Sequence, residues 1–351
     1  MVQFKSWLIR AGLLALRHSC AARAAQPWSA GKGALLMLHR VQPGPAPTFA
    51  PNARLSVSPE DLRALLASFR AANLDVISLD EALNRLRCRK RARRFVCFTF
   101  DDGYRDNLEH ALPVFRRFRA PLTVFATAGF ADRSHAPWWV ALERVIARER
   151  ALHWSEAGAS RWFDVRSLAA KRRVFSLLSA RFQRMTAAEL SPRLDHLLTV
   201  HGLSVEEVAA RETCSWAELR ALHDAGVEIG CHALSHPCLS RESDSVVRAE
   251  LSSARRRIEA QLGRGVRHLS YPYGKREHVG MREFVIAREL GFASAVTTRA
   301  GCLFAAHAVQ RHALPRIELT PNLAASPHHV HTVLTGLPLV IRNRGRWLVT
   351  D

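Results

Sequence analysis

The chain has 351 residues, of which 48% are hydrophobic, so it can bury a sizeable core and is long enough for one large barrel or two modest domains. Its formal net charge of +20 at pH 7 would attract polyanions. The arginines are nevertheless scattered through ordinary helical patterns, and the basic run 85–94 contains no aromatic residue. This distribution favours a solvated basic surface, and a nucleic-acid partner is not expected.

Residues 1–30 are interpreted as a basic N-terminal segment, and secretion is not favoured, because Arg10 interrupts the apolar stretch before it reaches the length of a signal-peptide core. Phe4, Trp7 and Ala11 recur at helical spacing, which predicts an amphipathic helix that either lies on an anionic membrane or packs on the domain. No apolar run approaches the roughly 18 residues that a membrane span needs. Seven cysteines without a CxxC pair indicate a reducing compartment. We therefore expect a cytoplasmic protein, and contact with the inner membrane surface is left open.

Short apolar runs alternate with amphipathic stretches from about residue 34 onward, which is typical of parallel strands joined by helices. Within residues 31–130, strands are predicted at 34–39, 76–78, 95–100 and 122–126. Ser58 is followed by a proline and two acidic residues, so it is expected to cap a helix that ends near Ala71.

The pattern changes in residues 131–213, where several amphipathic helices with little strand signal predict a helical insertion. Trp138 and Trp139 in this insertion could stack on sugar rings or anchor the insertion to the rest of the fold. Alternation of strands and helices resumes in residues 214–320. Residues 321–351 carry a weak helical pattern and are interpreted as a C-terminal tail.

Two adjacent carboxylates, Asp101 and Asp102, follow the predicted strand 95–100 and precede Gly103, which permits a tight turn. Parallel α/β folds place their sites at the carboxyl ends of strands. Neighbouring carboxylates repel each other, so such a pair needs a cation or a shared proton. An ordinary turn is the alternative interpretation. Asp106 is interpreted as a helix cap without a catalytic role.

Two histidines, His232 and His236, follow another predicted strand, and their spacing on one helical turn lets both imidazoles reach one metal ion. For an isolated pair, a packed or surface role is the alternative. A third motif, Ser270-Tyr-Pro-Tyr-Gly274, also follows a strand, and its aromatic and proline content suits a rigid wall facing a sugar. Because the loops that follow parallel strands converge, the three motifs together favour one shared site.

Together these motifs resemble those of the polysaccharide deacetylases of carbohydrate esterase family four, whose shared region is called the NodB homology domain. Thr99-Phe-Asp-Asp-Gly103 matches the first motif of that family, and His232-Ala-Leu-Ser-His236 matches the second. The resemblance covers residues 31–130 and 214–320, and it implies an α/β fold, a deformed (β/α) barrel of fewer than eight strands. It also implies that Asp101 is the catalytic base and that Asp102, His232 and His236 bind a divalent metal, usually zinc.

The third motif departs from the commoner pattern, because many relatives carry an arginine that holds the catalytic aspartate where this chain has Ser270. Arg316 is our candidate for a substitute cation. Leu38-His39-Arg40 matches the circularly permuted poly-N-acetylglucosamine deacetylases, which carry their general acid near the N-terminus. The resemblance therefore implies His39 as the acid, with a buried histidine at a strand end as the alternative. Pro272 and Tyr273 would line the substrate, and a backbone N–H near Tyr273 would stabilise the oxyanion.

The function that this resemblance implies is metal-dependent hydrolysis of the acetamide of an N-acetylated glycan. The substrate would be an oligo- or polysaccharide, such as a chitooligosaccharide, or a glycolipid. One alternative is a non-haem Fe(II) enzyme, because two histidines and one carboxylate can hold that ion, but it leaves Asp101 without a role. The other is a catalytically impaired barrel that binds glycan or membrane. The missing arginine of the third motif and the high charge favour this alternative, and the intact set of Asp101, Asp102, His232 and His236 argues against it.

Overall fold

The structure is a computed structural model that describes residues 20–88, 92–156 and 159–350. Its strands, in chain order, are β1 (Gly33–Leu38), β2 (Arg40–Val41), β3 (Ser56–Val57), β4 (Asp75–Val76), β5 (Phe95–Phe100), β6 (Thr123–Ala126), β7 (Ala151–Glu156), β8 (Ala159–Asp164), β9 (Glu228–Cys231), β10 (His268–Ser270), β11 (Ser294–Val296) and β12 (Ile317–Glu318). Its α-helices are α1 (Cys20–Ser29), α2 (Pro59–Ala71), α3 (Leu79–Arg87), α4 (Leu112–Phe118), α5 (Ala128–Ala131), α6 (Trp138–Arg148), α7 (Leu168–Phe182), α8 (Ala187–Val200), α9 (Val205–Glu212), α10 (Trp216–Asp224), α11 (Asp244–Leu262), α12 (Met281–Glu289), α13 (Pro321–Ala324), α14 (Pro327–Leu334) and α15 (Leu337–Arg342). The amphipathic helix predicted from Phe4, Trp7 and Ala11 lies outside the described residues.

A curled parallel sheet forms the centre of the fold. Across the described ranges, seven strands follow one another in the order β11-β10-β9-β6-β5-β1-β12, and the two-residue β4 pairs with the start of β5. All residues of β1 and β5 are buried, because Leu36 and Leu38 pack into the core on one face of the sheet while Leu35 packs into the core on the other. The arrangement confirms the predicted α/β fold, a deformed (β/α) barrel of fewer than eight strands.

The barrel is nearly closed by the segment that leads into β12. Leu314 forms a parallel bridge with Val296 at the end of β11. Three residues later, Ile317 pairs with Leu36 of β1. Arg316 lies between these two connections, and its side chain is fully buried. The closure of the barrel therefore places the guanidinium of Arg316 beside the strands that precede the aspartate pair.

The segment 131–213 contains the predicted helices and, in addition, a β-hairpin that the sequence analysis did not predict. Strands β7 and β8 pair antiparallel from Ala151 opposite Asp164 to Glu156 opposite Ala159. Leu152 and Trp154 alternate with more exposed neighbours along β7, and their buried side chains pack with helices α7 and α8 in one hydrophobic cluster. The insertion therefore has an apolar core of its own, which also includes Trp138 and Trp139.

The ends of the helices follow local sequence chemistry. The hydroxyl of Ser58 accepts a hydrogen bond of 3.0 Å from the backbone N–H of Asp61, which fixes the start of α2 where a cap was predicted. At the end of α1, the hydroxyl of Ser29 donates a hydrogen bond to the carbonyl of Thr335 in the C-terminal segment. The helix α1 is thereby fastened to the helices of the C-terminal segment. Within the described part of the chain, none of the helices is both long and apolar enough to cross a bilayer.

Candidate active site

The aspartate pair lies directly after β5, at the carboxyl edge of the sheet. Because Leu38 pairs with Phe100, the next residue on each strand, His39 and Asp101, emerges at the same edge. The backbone N–H of Asp101 donates to the carbonyl of Leu38 over 3.0 Å, which continues the ladder by one more hydrogen bond. Asp102 then adopts a left-handed backbone conformation with φ of 72°. This conformation costs a residue other than glycine about 1–2 kcal/mol, and it turns the Asp102 carboxylate away from that of Asp101.

Asp102 meets both predicted histidine ligands. Its Oδ1 atom lies 3.4 Å from Nε2 of His232 and 3.5 Å from Nε2 of His236. All three side chains are buried, and Oδ1 of Asp102 makes no hydrogen bond within the described structure. One ligand atom from each residue lies within 4.8 Å of the others. A carboxylate oxygen without a donor, facing two imidazole nitrogens, is suited to a divalent cation, because a buried anion needs a positive partner.

The loop after β9 fixes the two histidine rings. Nδ1 of His232 lies 2.7 Å from the carbonyl of Ser270, so a proton on Nδ1 leaves the Nε2 lone pair free to bind a metal. Ala233 and His236 both have left-handed backbone conformations, with φ of 62° and 61°. The sequence spacing had suggested a helical turn here, but these residues form a strained loop instead. The strain is located where the ligands are held, as is common at functional sites.

Asp101 is held by Arg316. The guanidinium donates from Nη1 to Oδ1 over 2.8 Å and from Nη2 to Oδ2 over 2.7 Å, which is a bidentate ion pair. Arg316 also donates to the hydroxyls of Thr99 and Ser270 and to the carbonyl of Thr297, so its five N–H groups have five acceptors. Ser270, which stands where the commoner pattern has an arginine, is thus one of the groups that position Arg316.

The electrostatics of the site follow from burial and from these contacts. Burial alone would raise the pKa of Asp101, but Arg316 and then His232 hold it well below its ordinary value. Burial would raise the pKa of Asp102, but His232, His236 and His39 together lower it below its ordinary value. Burial lowers the pKa of His236 to about 4, so this imidazole is neutral near pH 7. Burial would lower the pKa of His232, but Asp101 and then Asp102 raise it above its ordinary value, so a proton competes with a metal ion for this imidazole. Arg316 offsets the charge of one ionised carboxylate, and the other favours a cation.

His39 is half-buried at the same edge, and its proximity contributes to the lowered pKa of both aspartates. Its carbonyl accepts a hydrogen bond of 2.9 Å from the side chain of Asn107. Asp106 does not cap a helix, contrary to our expectation. Its carboxylate instead accepts from the backbone N–H of Val41 and from Arg40, at 3.0 and 2.9 Å. Asp106 therefore supports the loop that carries His39.

Two tryptophans tie the insertion to the site. Nε1 of Trp138 donates to the hydroxyl of Tyr273 over 2.9 Å, and Nε1 of Trp139 donates to the hydroxyl of Tyr104 over 2.7 Å. The rings of Trp139 and Tyr273 both pack against His236, with centroid distances of 4.8 and 4.9 Å. The tryptophans and Tyr273 were identified in the sequence, but Tyr104 and the two hydrogen bonds were not, because the contacts join residues 35 and 135 positions apart.

A small cavity of about 30 Å³ opens beside His236, between the insertion and the loops of the barrel. Its lining includes Trp138, Met185, Leu190, Leu194, His236 and Tyr273. Pro272 is buried next to Tyr273, and its carbonyl accepts from the N–H of Gly274 over 2.7 Å in a tight turn. Tyr273 and Gly274 both have left-handed backbone conformations. The third motif thus forms a rigid turn beside the metal-ligand set.

Comparisons with known proteins agree with this fold and identify the family. A family profile described as polysaccharide deacetylase matches residues 89–293. The matched range includes both aspartates, both histidines and the third motif, whereas His39 and Arg316 lie outside it. No functionally curated protein matches the chain.

Three solved structures share the fold. The deacetylase PplD of Streptococcus pyogenes, in complex with acetate, is 18% identical with a TM-score of 0.58, and the match covers 86% of this chain and 97% of PplD. IcaB from Ammonifex degensii is 17% identical with a TM-score of 0.55, over 87% of this chain and 97% of IcaB. BC0361, a polysaccharide deacetylase from Bacillus cereus, is 13% identical with a TM-score of 0.56, over 87% and 69% of the two chains. Because these sequence identities are low, the solved structures show only that the fold is shared. The family is shown by the profile match. The chain belongs to the polysaccharide deacetylase family, whose members are hydrolases that act on carbon–nitrogen bonds other than peptide bonds.

Proposed function

We propose that this protein removes acetyl groups from an N-acetylated oligo- or polysaccharide, or from a glycolipid, in a reaction that depends on a divalent metal. The observation that carries the proposal is the pairing of two buried carboxylates with different partners. Asp102 faces two imidazoles and has an oxygen without a donor, while Asp101 is fixed by a buried arginine. One carboxylate is thereby suited to bind a metal and the other to act on a water molecule.

Asp102, His232 and His236 would hold the metal, and Zn²⁺ is the ion that best fits one carboxylate and two imidazoles. When bound, such an ion supplies Lewis-acid activation of the acetyl carbonyl and lowers the pKa of a coordinated water. Neutral imidazoles are required for this role. The lowered pKa of His236 favours its neutral form. The hydrogen bond from Nδ1 of His232 to Ser270 points Nε2 of His232 towards Asp102, and because the aspartates raise the pKa of His232, a metal ion would displace a proton from that nitrogen.

Asp101 would accept the proton of the attacking water. The two hydrogen bonds from Arg316 fix the plane of its carboxylate, so the proton is received in one orientation. These hydrogen bonds also keep Asp101 ionised over the whole neutral range, because the ion pair lowers its pKa. The cost is a weaker base, since a carboxylate stabilised by arginine has a lower proton affinity.

His39 would protonate the nitrogen of the leaving amine, because an unprotonated amide nitrogen is a poor leaving group. It emerges beside Asp101 at the carboxyl edge of the sheet, as a residue that acts on the same bond must. The backbone N–H of Tyr273 would donate to the oxyanion, a contact worth about 3 kcal/mol in comparable sites. The turn formed by Pro272 and Gly274 would keep that N–H in place. The products would be acetate and a free amino sugar.

The small, mostly apolar cavity beside His236 is suited to the acetyl methyl group. We also retain two proposals that rest on the sequence alone. Residues 1–24 would bind an anionic membrane through their basic amphipathic pattern, and the protein would be cytoplasmic, at the inner surface of that membrane.

An acetate-release assay tests the proposed function. The substrates are N-acetylglucosamine oligomers, an N-acetylated polysaccharide and an N-acetylated glycolipid, each with untreated, chelator-treated and zinc-restored protein. Activity that disappears on chelation and returns with Zn²⁺ or Co²⁺ is the expected result. Full activity of the metal-stripped protein would exclude the metal-dependent mechanism, and acetate release from none of the substrates would favour an impaired, glycan-binding barrel.

A further inference from the structure

A second group of metal-ligating side chains lies at the opposite end of the barrel from the aspartate pair. Glu228 is the first residue of β9 and His268 the first residue of β10, while Asp80 lies in the first turn of α3. Nε2 of His268 is 3.0 Å from Oε1 of Glu228 and 3.2 Å from Oδ1 of Asp80. Because the first residues of parallel strands meet at the amino edge of a sheet, this cluster is separate from the candidate active site.

The orientation of His268 indicates a shared centre among the three groups. Its side chain is fully buried, and Nδ1 lies 2.8 Å from the hydroxyl of Ser294. Nε2 has no hydrogen bond of acceptable geometry, although two carboxylate oxygens lie within 3.2 Å of it. The oxygens therefore flank the axis of the ring nitrogen instead of lying on it. Ligands at about 2.1 Å from one ion are separated by about 3 Å and take this flanking arrangement.

We propose that Asp80, Glu228 and His268 bind a second divalent transition-metal ion, Zn²⁺ or Mn²⁺. One imidazole and two carboxylates form a donor set that these ions accept, whereas Ca²⁺ and Mg²⁺ prefer oxygen ligands alone. Asp102 with its two histidines shows the same relationship of donor atoms, at 3.4 and 3.5 Å. The second ion would join the start of α3 to the starts of two strands, which is a structural role.

The surroundings provide the outer contacts and the access that a metal site needs. The hydroxyl of Thr123 donates to Oε2 of Glu228 over 3.0 Å, which leaves Oε1 as the free ligand atom. Asp80 and Glu228 line an open cavity of about 650 Å³, through which an ion and its remaining water ligands can enter. Arg267 donates to Oδ1 of Asp80 over 3.1 Å, but its side chain is 60% exposed, so it can move aside as the ion binds.

The competing arrangement is a protonated His268 between the two carboxylates. Burial opposes the proton, but the contacts with Asp80 and Glu228 raise the pKa of His268 above its ordinary value. A proton and a metal ion cannot both occupy Nε2. Metal binding at this site is therefore expected to weaken as the pH falls, and the two arrangements differ in metal content.

Metal content separates the two sites. The full chain is stripped with chelator, reloaded with Zn²⁺, freed of excess ion and measured by elemental analysis. We expect two equivalents in the wild-type protein and one in Glu228→Gln, which keeps the size of the side chain and contacts no residue of the candidate active site. Asp102→Ala should also bind one equivalent, and the protein that carries both changes should bind none. His268→Gln should repeat the result of Glu228→Gln, and Glu228→Gln decides the question if His268→Gln does not fold.

Asp224→Asn and His223→Gln are matched controls, because both residues line the same cavity without belonging to the cluster. Both variants should bind two equivalents. With Co²⁺, the Asp102→Ala protein should show visible absorption bands that Glu228→Gln abolishes, which distinguishes coordination from adsorption to the surface. This inference would be overturned if Glu228→Gln still bound two equivalents of Zn²⁺. It would also be overturned if the wild-type protein bound one equivalent and Asp102→Ala bound none. Neither result would contradict the proposed deacetylase. If Glu228→Gln lowered the zinc content and Asp102→Ala did not, the result would contradict the metal site of the proposed deacetylase instead.

Discussion

Arg316 and Asp101 form a buried, bidentate ion pair at the place where the barrel closes. Neither side chain is appreciably exposed, and the two N–O distances are 2.8 and 2.7 Å. Screening by salt and water is weak at such a depth, so the arginine controls both the charge and the orientation of the carboxylate. Since Asp101 is the proposed base, the ion pair should affect stability and the pH dependence of the rate together.

Arg316→Gln should move the acidic limb of the pH–rate profile to higher pH. Asp101 acts in its ionised form, and without the guanidinium its pKa rises, so the rate is lost at a higher pH as the solution is acidified. The lowered pKa stabilises the folded protein above the pKa of the unfolded chain, and that stability is lost as the pH falls through the lower, folded value. Removing Arg316 should therefore also cost about 3–5 kcal/mol of unfolding free energy near pH 7.

Ser270→Ala is the matched control for Arg316→Gln, because it removes one of the five acceptors of the arginine and leaves the ion pair. It should cost about 1 kcal/mol and leave the acidic limb in place. Profiles measured on folded protein, with metal content determined in parallel, test both variants. An unchanged acidic limb in folded Arg316→Gln would contradict the role of Asp101 as the base.

Substitution of the two neighbouring aspartates, Asp101 and Asp102, should have different effects on metal content and on the rate. Asp102→Ala should lose the metal, because one carboxylate ligand is gone and two imidazoles hold Zn²⁺ weakly. Asp101→Asn keeps the shape of the side chain but is a poor proton acceptor, so it should keep the metal while kcat falls by about 10²-fold or more. Elemental analysis beside acetate release measures both effects. The opposite pattern of metal loss would reverse the two roles.

His39→Ala should retain the metal and lose about 10²–10⁴-fold in rate on an N-acetylated sugar, which is the usual range for a general acid. The loss should be much smaller on an activated aryl acetate, whose leaving group departs without a proton. Asn107→Ala is a useful control, since the side chain of Asn107 donates to the backbone carbonyl of His39 and to Asp106 but not to the imidazole, and its removal should cause a smaller loss on both substrates. An equal loss of His39→Ala on the two substrates would point to a structural role.

Residues 1–24 should bind vesicles that contain anionic lipid, and less so as the salt concentration rises. The pattern combines apolar residues at helical spacing with Lys5, Arg10 and Arg17. Sedimentation with vesicles would compare the full chain, a chain without residues 1–24, and a full chain with these three cations changed to glutamine. Undiminished binding by the truncated chain would show that the contact lies elsewhere.

The convergence of the site could be predicted from sequence because it depends on a general property of parallel sheets. Asp101 and His232 each follow a buried apolar strand, and the carboxyl ends of such strands meet at one edge. The position of Arg316 could only be guessed. Its contact with Asp101 requires the bridge between Leu314 and Val296, and no local pattern encodes a pairing of that kind.

The backbone conformations of the site loops and the hairpin β7–β8 were not predicted from the sequence. Left-handed conformations at Asp102, His236 and Tyr273 are unfavourable for residues with a side chain, so local preference argues against them and only the surrounding structure imposes them. The hairpin β7–β8 did carry a signal. Leu152 and Trp154 alternate with polar residues, but the run is short and lies between strongly helical segments.

Tyr273 could act through its backbone N–H or through its hydroxyl, and its hydrogen bond with Trp138 allows the two roles to be tested separately. The pKa of its hydroxyl is raised by burial, so this group stays protonated, and it accepts from Nε1 of Trp138 over 2.9 Å. If the backbone N–H of Tyr273 supports the oxyanion, the hydroxyl is needed only to hold the turn. Tyr273→Phe should then keep kcat within a few-fold while it lowers the unfolding free energy by about 1–3 kcal/mol, because Trp138 is left without its acceptor.

Trp138→Phe removes the donor and should destabilise the protein as well. Because both changes break the same hydrogen bond, the variant that carries both should lose less stability than the sum of the two single losses, with a coupling of about 0.5–1.5 kcal/mol. Denaturant unfolding and acetate release would be measured on all four proteins. A 10²-fold fall in kcat for Tyr273→Phe, with the fold and the metal intact, would assign the catalytic contact to the hydroxyl and not to the backbone N–H.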